Sequence, residues 1–517
     1  MRRIGVVGAG TMGAGIAQVA AQAKFDVLLC DVDPAALTRA LRRVEADLER
    51  QVVRGRLTPQ QAAEAVGRIT ATTALGDFAR ADFVVEAAQE ELELKRGLFE
   101  RLDRLCRRDV VLATNTSSLS VTQIGALAGY PDRVVGMHFF NPVPAMRLVE
   151  VVAGDASGEA ALQAAEEVAR ALGKEPVRVK DTPGFIVNRV ARPYSGEALR
   201  ILGEQVATAV QIDRIARLAC GFRMGPFELM DLVGLDINFA VHRSVFEQYF
   251  GEPRFRPHPL QERMVKAGRL GRKTGWGWYR YADGAPVDGP EPPRYALAPG
   301  PRVPGVARVA VLGDPDLADM AAAAGYRLVE CCAEADLVVL AGPELLEGRQ
   351  PDPRVVVLVE ASTQSTTEMA SRLVNPARLV GYGGIPRVSR RRLVEVAPGL
   401  RTDATATELA VHFFRSLGRD TEVVADGPGL VAARLLACLA NEAAFALQEG
   451  VATAAGIDAA MRLGVNYPMG PLEWADEIGP EKLLAVLEGL QRQSGEERYR
   501  PAPILRKRVL AGLGMRP

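Results

Sequence analysis

Along roughly the first 180 residues, short runs rich in Val, Ile and Ala alternate with longer stretches in which apolar residues recur at helical spacing. Such runs predict buried strands, and their alternation with helices is typical of βαβ units in a parallel, doubly wound sheet. A charged helical segment over residues 34–68 predicts a helical hairpin that stands out from this sheet. The predicted strands cover residues 4–7, 27–31, 83–86, 110–114, 134–137 and 148–152.

After Pro183 and Gly184 the strand pattern stops, and amphipathic helices continue to about residue 280. This change predicts a second domain that is all helical, so the fold class is α/β plus all-α. A Pro/Gly-rich stretch without periodicity then indicates a linker, and the order of strands followed by helices recurs to the end of the chain. We therefore predict a doubly wound domain, a helical domain, a linker, a degenerate doubly wound domain and a second helical domain, at residues 1–183, 184–281, 282–305, 306–425 and 426–517.

The second half of the chain repeats the first at a constant offset of 245 positions between Ser117 and Glu228, so that Ser117 corresponds to Ser362. A register held over that length indicates an internal duplication, and we call residues 1–281 the first copy and 306–517 the second copy. Both copies must pack, so polar residues found only in the first copy are the better candidates for chemistry. Three such residues, His138, Asn141 and Asn188, are replaced by Gly383, Pro386 and Ala433.

The composition narrows the function classes. The 517 residues carry 63 Lys and Arg against 63 Asp and Glu, so no bulk charge would attract nucleic acid or an anionic membrane. No apolar run approaches the roughly 20 residues of a spanning helix, and no signal-peptide pattern precedes the first strand. The six Cys have neither Cys-x-x-Cys spacing nor His neighbours, which disfavours a metal site and a disulfide framework. We expect a cytoplasmic protein without a metal.

A glycine-rich loop, Gly-Ala-Gly-Thr-Met-Gly, follows the first predicted strand and opens a helix. In a Rossmann domain this pattern binds a dinucleotide, because the first Gly allows a tight turn, the second admits a pyrophosphate and the third lets helix and strand pack closely. An Asp at the end of the second strand would accept hydrogen bonds from the ribose and select NAD over NADP. We expect NAD at Gly8, Gly10, Thr11, Met12, Gly13 and Asp31.

The corresponding loop of the second copy keeps one of these glycines, Gly313, and follows it with Asp314, where a phosphate would lie. The second copy also lacks the helical hairpin. We therefore predict that it is a degenerate domain that binds no dinucleotide.

A polar segment from Thr114 to Ser118 leaves the end of a predicted strand, at the edge where open α/β sheets hold ligands. His138 ends the next strand, and Glu150 lies in the strand after it. Oxidation of an alcohol requires a base for the hydroxyl proton, and an imidazole backed by a carboxylate meets that need. A structural role is the alternative for Glu150, because Glu395 persists in the copy that lacks the His.

Asn188 begins the helical domain, where its amide would orient a carbonyl or the nicotinamide, or else form an interhelical hydrogen bond. Asn188 lies in the motif Pro-Gly-Phe-Ile-Val-Asn-Arg. Over residues 1 to about 281 the chain resembles the L-3-hydroxyacyl-CoA dehydrogenase family, through this motif together with Gly-Ala-Gly-Thr-Met-Gly, Asn-Thr-Ser-Ser and His-Phe-Phe-Asn-Pro. The resemblance implies NAD-dependent oxidation of a 3-hydroxyacyl-CoA, in which His138 and Glu150 abstract the proton while Ser117 and Asn188 contact the reacting oxygen. It further implies NAD contacts from Glu90, Lys95, Asn115 and Lys273, and substrate contacts from Ser117, Asn141 and, at the CoA phosphates, Arg54 and Arg56.

The tandem layout resembles a branch of that family that oxidises 3-hydroxyadipyl-CoA to 3-oxoadipyl-CoA in phenylacetate degradation. This implies a distal carboxylate on the substrate, for which Arg189 or Arg192 is our candidate cation. A short-chain 3-hydroxybutyryl-CoA dehydrogenase and, more distantly, a non-catalytic NAD-binding protein are the alternatives. We expect the two helical domains to pack on each other within one chain as a pseudo-dimer, in the way that the helical domains of two subunits would in single-copy relatives. Such chains can also form a homo-oligomer, which we leave as an alternative.

Overall fold

The computed structural model describes residues 2–289, 298–347, 349 and 351–516. Part of the predicted linker, residues 290–297, lies outside the described residues. The strands within the described ranges are β1 Arg3–Val7, β2 Asp26–Cys30, β3 Ile69–Thr72, β4 Phe83–Glu86, β5 Val111–Thr114, β6 Val134–Phe139, β7 Leu148–Ala153, β8 Glu175–Lys180, β9 Tyr281–Ala282, β10 Ala285–Pro286, β11 Arg308–Leu312, β12 Arg327–Leu328, β13 Leu337–Leu340, β14 Val356–Glu360, β15 Leu379–Tyr382, β16 Leu393–Pro398 and β17 Asp420–Val423.

The helices alternate with the strands in each α/β part and then dominate, as the apolar pattern predicts. In the described part of the chain they are α1 Thr11–Gln22, α2 Pro34–Val53, α3 Pro59–Gly67, α4 Leu92–Leu105, α5 Val121–Gly125, α6 Glu159–Ala171, α7 Val187–Val190, α8 Arg192–Gly203, α9 Ala209–Leu218, α10 Pro226–Val233, α11 Leu235–Gln248, α12 Pro259–Lys266, α13 Pro315–Ala323, α14 Thr366–Ala370, α15 Ala404–Ser416, α16 Ala432–Gln448, α17 Ala454–Val465, α18 Pro471–Ile478, α19 Pro480–Ser494 and α20 Pro503–Leu510.

The first copy contains an eight-stranded sheet in the order β3-β2-β1-β4-β5-β6-β7-β8. Its central strands are buried on both faces, since consecutive residues of β4, Phe83, Val84 and Val85, are all buried, as in a sheet that helices cover on two sides. One face packs on α1, α2 and α6 in a single apolar cluster. The predicted hairpin is formed by α2 and α3, and the side chain of Asp33 caps α2 by accepting a hydrogen bond from the Ala35 amide.

One feature of this sheet departs from the predicted parallel arrangement. β6 and β7 pair antiparallel, whereas the other neighbouring pairs of strands in the sheet are parallel. Only residues 140–147 connect β6 to β7, and a parallel crossover needs a dozen or more residues. The chain therefore turns back directly, which places His138 opposite Glu150 in the strand register.

The second copy repeats this design in a seven-stranded sheet, in the order β12-β11-β13-β14-β15-β16-β17. β15 and β16 are again the antiparallel pair. Between α13 and β13 the chain contains the two-residue strand β12 and a short 3-10 helix, Cys332–Glu334, so the helical hairpin of the first copy has no counterpart here, as predicted. The beginning of the predicted linker forms a short β9–β10 hairpin.

The chain divides into two compact units that do not coincide with the two copies. Unit 1 comprises Met1–Arg189 and Glu449–Val465, and unit 2 comprises Val190–Gln448 and Asn466–Pro517. Within unit 1, α17 of the second copy packs on β7 and β8 of the first copy, and the amide of Lys180 donates to the carbonyl of Val451 (2.9 Å). Each copy thus contributes a helix to the sheet of the other, because α9 packs on β16 within unit 2.

The equivalent backbone bond in unit 2 joins the amide of Ala425 to the carbonyl of Val206 (2.8 Å). The helical regions of the two copies also pack on each other within unit 2, through α8 and α16. In the described part of the chain, no helix is both long and apolar enough to span a membrane.

Candidate active site

The glycine loop between β1 and α1 has the three properties that the motif predicts. Gly8 has a φ of +99°, and a Cβ there would lie 2.5 Å from the carbonyl oxygen of Ala87. A Cβ on Gly13 would lie 1.8 Å from the carbonyl oxygen of Gly8, so the helix can approach the strand only without a side chain. A Cβ on Gly10 would meet no protein atom within 4 Å. The open space at Gly10 is therefore suited to a ligand.

The amides that begin α1 are suited to the same ligand. Gly10 is the N-cap of α1 and has no side chain with which to accept from the first amides of the helix, which leaves them for an anion such as a pyrophosphate. The loop lines a cavity of about 780 Å³ together with Asp31. One carboxylate oxygen of Asp31 accepts from the amide of Ala9 (2.7 Å), which fixes the acid beside the loop. These residues fit the adenosine and pyrophosphate parts of NAD.

His138 and Glu150 form a buried pair at the carboxyl end of β6. They are directly opposite each other across the antiparallel β6–β7 pair, so both side chains point to the same face. Nδ1 of His138 donates to Oε2 of Glu150 (2.6 Å), since a carboxylate can only accept. Glu150 is 0% exposed and His138 is 6% exposed. Nε2 is therefore the imidazole nitrogen that can exchange a proton with a substrate.

The second oxygen of Glu150 is held by the segment that begins α7. Its Oε1 accepts from the amides of Ile186 (3.0 Å) and Val187 (2.9 Å). Two backbone donors on one oxygen and an imidazole on the other fix the carboxylate and orient the ring. The carboxylate thus supports the start of α7 and orients the imidazole at once, and its catalytic role stays a prediction.

Glu90 organises the loop that carries Ser117. Its Oε1 accepts from the hydroxyl of Thr116 (2.6 Å) and from the amides of Ser117 (2.8 Å) and Ser118 (3.1 Å). Burial raises the pKa of Glu90, but the Thr116 bond, the charge of Lys95 and the Ser117 and Ser118 bonds together hold it below the ordinary value. Glu90 is therefore an acceptor that keeps Ser117 in place at the end of β5.

Lys95 lies beneath this loop and is only 1% exposed. Its ammonium donates to Glu86 (2.7 Å) and lies 3.3 Å from Glu90. A Lys in such a pair stabilises Glu90, and its direct contact with NAD stays a prediction.

Two Asn side chains connect these elements. Oδ1 of Asn115 accepts from the amide of Phe139 (2.9 Å), which ties the end of β5 to the residue after His138. Nδ2 of Asn188 donates to the carbonyl of Ser117 (3.4 Å). The structure thus brings Ser117, Asn188 and Glu90 into one hydrogen-bonded group beside the carboxyl ends of β5 and β6.

The other predicted residues occupy the β6–β7 connection, the α2–α3 turn and unit 2. Asn141 is exposed in the β6–β7 connection, and Arg54 and Arg56 are exposed in the turn between α2 and α3. Lys273 belongs to unit 2 and forms an ion pair with Asp236 (2.6 Å), and Arg192 begins α8 of unit 2, where burial lowers its pKa to about 10. Their roles toward NAD and substrate stay predictions.

The prediction that Arg189 meets a substrate carboxylate is wrong. Its side chain is 0% exposed, and its guanidinium forms two bonds with the carboxylate of Glu449 (2.6 and 3.0 Å). A signal for this was present in the sequence, because Arg434 of the second copy corresponds to Arg189, whereas Asn188 is replaced by Ala433. Retention in the copy without the His indicates a structural residue.

Sequence patterns also missed a residue that shapes the connection between His138 and Glu150. The ammonium of Lys174 donates to the carbonyls of Val143 (2.5 Å) and Met146 (2.7 Å), and burial lowers the pKa of Lys174 to about 8. Arg419 at the corresponding position of the second copy donates to the carbonyls of Val388 (3.0 Å) and Ser389 (3.1 Å). The sequence signal that could have identified Lys174 is the cationic residue at this position in both copies.

In the second copy the same framework contains no imidazole. Oε1 of Glu395 accepts from the amides of Val431 (2.7 Å) and Ala432 (3.0 Å), as Glu150 does in the first copy. A buried guanidinium, that of Arg391, lies 3.6 Å from the other oxygen. Burial raises the pKa of Glu395, and the Arg391 charge opposes that shift. This explains why the carboxylate survives where the base has been lost.

A glycine loop, an acidic residue at the end of β2 and an imidazole–carboxylate pair on one sheet define the class, which is that of the nicotinamide-dependent dehydrogenases. Family models agree in detail. Residues 3–182 match the model described as 3-hydroxyacyl-CoA dehydrogenase, NAD binding domain, and residues 184–281 and 429–516 match the model described as 3-hydroxyacyl-CoA dehydrogenase, C-terminal domain. The chain belongs to the 3-hydroxyacyl-CoA dehydrogenase family and is an NAD-dependent oxidoreductase.

Relatives of two lengths resemble the chain. A protein of Escherichia coli (strain K12) named 3-hydroxyadipyl-CoA dehydrogenase is 40% identical over 99% of this chain and 98% of its own length. The 3-hydroxybutyryl-CoA dehydrogenase of Clostridioides difficile is 39% identical over 54% of this chain and 99% of its own length. A crystal structure described as 3-hydroxybutyryl-CoA dehydrogenase from Escherichia coli K12 substr. MG1655 superposes with a TM-score of 0.83, with 39% identity over 99% of this chain and 98% of that chain.

Proposed function

We propose that this enzyme oxidises the 3-hydroxyl of 3-hydroxyadipyl-CoA to give 3-oxoadipyl-CoA, with His138 as the base. The observation that carries the catalytic assignment is the buried His138–Glu150 pair, which occurs in the copy that has the complete glycine loop and is lost in the copy that lacks it. Because the first copy keeps both the base and the dinucleotide loop and the second copy lacks both, we infer that the two serve the same reaction.

His138 would remove the hydroxyl proton on Nε2, because Nδ1 is engaged by Glu150. The carboxylate stabilises the imidazolium that then forms, while its two backbone donors keep it from moving away. Ser117 and Asn188 would hold the reacting oxygen, as their mutual hydrogen bond places them side by side. Bound NAD supplies the acceptor for the hydride that leaves C3.

The dicarboxylic substrate is supported by the length of the relatives. The Escherichia coli protein named for 3-hydroxyadipyl-CoA matches this chain from end to end, including the second copy. A short-chain substrate is the second candidate, because the full-length crystal structure is described as a 3-hydroxybutyryl-CoA dehydrogenase. The 3-hydroxyadipyl group is longer than the 3-hydroxybutyryl group by two carbons, a CH2 and a terminal carboxylate. That carboxylate needs a cation, and Arg192 stays our candidate for it.

A steady-state comparison distinguishes these substrates. We expect kcat/KM for 3-hydroxyadipyl-CoA to exceed that for 3-hydroxyhexanoyl-CoA, its match in chain length without the second carboxylate, by at least about tenfold, as for one charge-assisted contact. 3-Hydroxybutyryl-CoA serves as the short-chain arm. Equal values for the first two would remove the reason for a carboxylate site, and a preference for the third would favour the second candidate.

We also propose that the second copy provides, within the chain, the packing surface that single-copy relatives obtain from a second subunit. The support is the packing of α8 on α16, where Nε of Arg434 donates to Glu197 (2.5 Å). A chain that ends at Ala282 would expose this face of α8, so we expect it to self-associate or lose activity. A monomeric and fully active product, judged by light scattering and NADH formation, would contradict the proposal.

We place this activity in the cytoplasm. The support is that all six Cys are unpaired, as is usual for proteins of reducing compartments. A homo-oligomer of complete chains stays an alternative to a monomer. The molar mass of the full-length protein, measured by light scattering, distinguishes the two.

A further inference from the structure

A segment of the second copy lies against the elements that carry the catalytic pair. Residues Glu449–Val465 belong to unit 1, and α17 packs on β7, the strand of Glu150. A Cβ on Gly464 would lie 2.7 Å from Leu148 and 3.0 Å from Val187. The helix therefore lies against Val187, whose amide donates to Glu150, and against Leu148, two residues before Glu150 in β7.

The same segment contributes a charge. The carboxylate of Glu449 accepts from both terminal nitrogens of Arg189, at 2.6 and 3.0 Å. Such a bidentate pair fixes both the position and the orientation of the guanidinium. Because Arg189 is buried, loss of the Glu449 carboxylate removes a charged partner from a guanidinium in a poorly solvated place.

Arg189 is two residues from Val187 and three from Ile186, whose amides hold Oε1 of Glu150. We propose that Glu449, from the degenerate copy, is a positioning residue for the reaction. It fixes Arg189, and through Arg189 the Ile186–Val187 amides, so that Glu150 stays aligned with His138. This inference rests on the catalytic roles proposed above for His138 and Glu150.

The second copy contains the same arrangement without the reaction. Arg434 donates to both oxygens of Glu204, at 2.6 and 3.0 Å, and the amides three and two residues before Arg434 hold Glu395. Gly383 stands where the first copy has His138. The ion pair thus belongs to the framework of both copies, but only in the first does that framework align a base. Glu204 is consequently a matched control for Glu449.

The experiment uses the full-length chain with Glu449→Gln and Glu204→Gln. Pre-steady-state NADH formation from saturating NAD and 3-hydroxyadipyl-CoA gives a rate constant for the chemical step and an amplitude for the fraction of competent sites. A purely structural defect lowers the amplitude and leaves the rate constant unchanged. We expect Glu449→Gln to lower the rate constant about tenfold, since small misalignments of reacting groups have effects of this size or larger.

We expect Glu204→Gln to leave the rate constant within about twofold of the parent value, because its framework contains no base. KM for NAD should stay within the same range in both variants. Glu449→Asp retains the charge and should recover part of the rate, and it decides the question if Glu449→Gln does not fold. In that case we expect the rate constant of Glu449→Asp to lie between the rate constants of the parent chain and of His138→Ala.

Three outcomes would overturn the inference. These are an unchanged rate constant in Glu449→Gln, an equal decrease in Glu204→Gln, or, where only Glu449→Asp folds, a parental rate in that variant. His138→Ala separates the two levels of the argument. If His138→Ala retains the parental rate constant, the proposed base itself is wrong, whereas a slow His138→Ala beside a fast Glu449→Gln removes only the role of Glu449.

Discussion

The β6–β7 pair of the first copy and the β15–β16 pair of the second have the same backbone design and different contents. Each is antiparallel, and each holds a buried Glu whose Oε1 accepts from two amides at the start of the helical region. The first pair adds His138 at 2.6 Å, and the second has the Arg391 guanidinium at 3.6 Å. The comparison teaches that the carboxylate belongs to the fold, and that only the first copy adds the imidazole on which the proposed reaction depends.

The two βα loops differ in the same way. In the first copy the N-cap of α1, Gly10, has no side chain, so the first amides of the helix are left for a ligand. In the second copy Asp314 caps α13 by accepting from the amide of Leu317 (3.1 Å). A side chain therefore satisfies in one copy the kind of donor that a pyrophosphate satisfies in the other.

The largest effect should come from removal of the base. We expect His138→Ala to lower kcat by roughly 10² to 10⁴, because no other group would take the hydroxyl proton. The Kd of NADH, measured by fluorescence titration, should change little. His412→Ala, at an exposed position of α15, is the control and should leave kcat unchanged. Loss of NADH binding in His138→Ala would instead show that the imidazole is structural.

Substitution of the two buried carboxylates, Glu150 and Glu395, should affect kcat in one case and the free energy of unfolding in the other. Glu150→Gln should lower kcat about 100-fold, since a neutral amide no longer stabilises the imidazolium. Glu395→Gln should leave kcat unchanged but destabilise unit 2 by about 3 to 5 kcal/mol, because the buried charge of Arg391 loses its counter-ion. Steady-state rates and urea unfolding measure both. If the two variants lose the same fraction of kcat, the copies do not differ as argued.

Within the first glycine loop, two substitutions should act on different properties. Gly10→Ala places a methyl group in the open space at the loop, so we expect the fold to persist and the Kd of NAD to rise about tenfold, or about 1.4 kcal/mol. Gly13→Ala would push a methyl group into the carbonyl of Gly8, so it should reduce thermal stability as well. Calorimetric titration and thermal unfolding separate the two. Unchanged NAD affinity in Gly10→Ala would argue against a pyrophosphate at that place.

The smallest effect should come from the second loop. Asp314→Ala removes the cap of α13 and should cost about 1 kcal/mol of stability, with kcat and NADH affinity unchanged. NADH titration should give one site per chain both before and after the change. A second site in the parent chain would mean that the degenerate copy still binds the cofactor.

The sequence predicted much of the candidate site because its chemistry is local. The glycine spacing, the paired loss of His138 and the loop glycines in the second copy, and the position of Asp31 were all readable from the repeat. The direction of β7 was misjudged, although the short connection after His138 already excluded a crossover helix. Arg189 was misjudged because proximity to Asn188 was given more weight than its retention at Arg434.

Sequence alone determined which elements form, which copy keeps a base and a dinucleotide loop, and which family the enzyme resembles. The reason is that the spacing of apolar residues and the chemistry of the side chains are properties of the chain itself. Only the tertiary structure decided that α17 lies on the first sheet and α9 on the second. Each helix has an apolar face that equivalent sheets in the two copies can accept, so the pattern cannot specify which sheet it covers. That choice brought Glu449 to Arg189, over a separation of 260 residues.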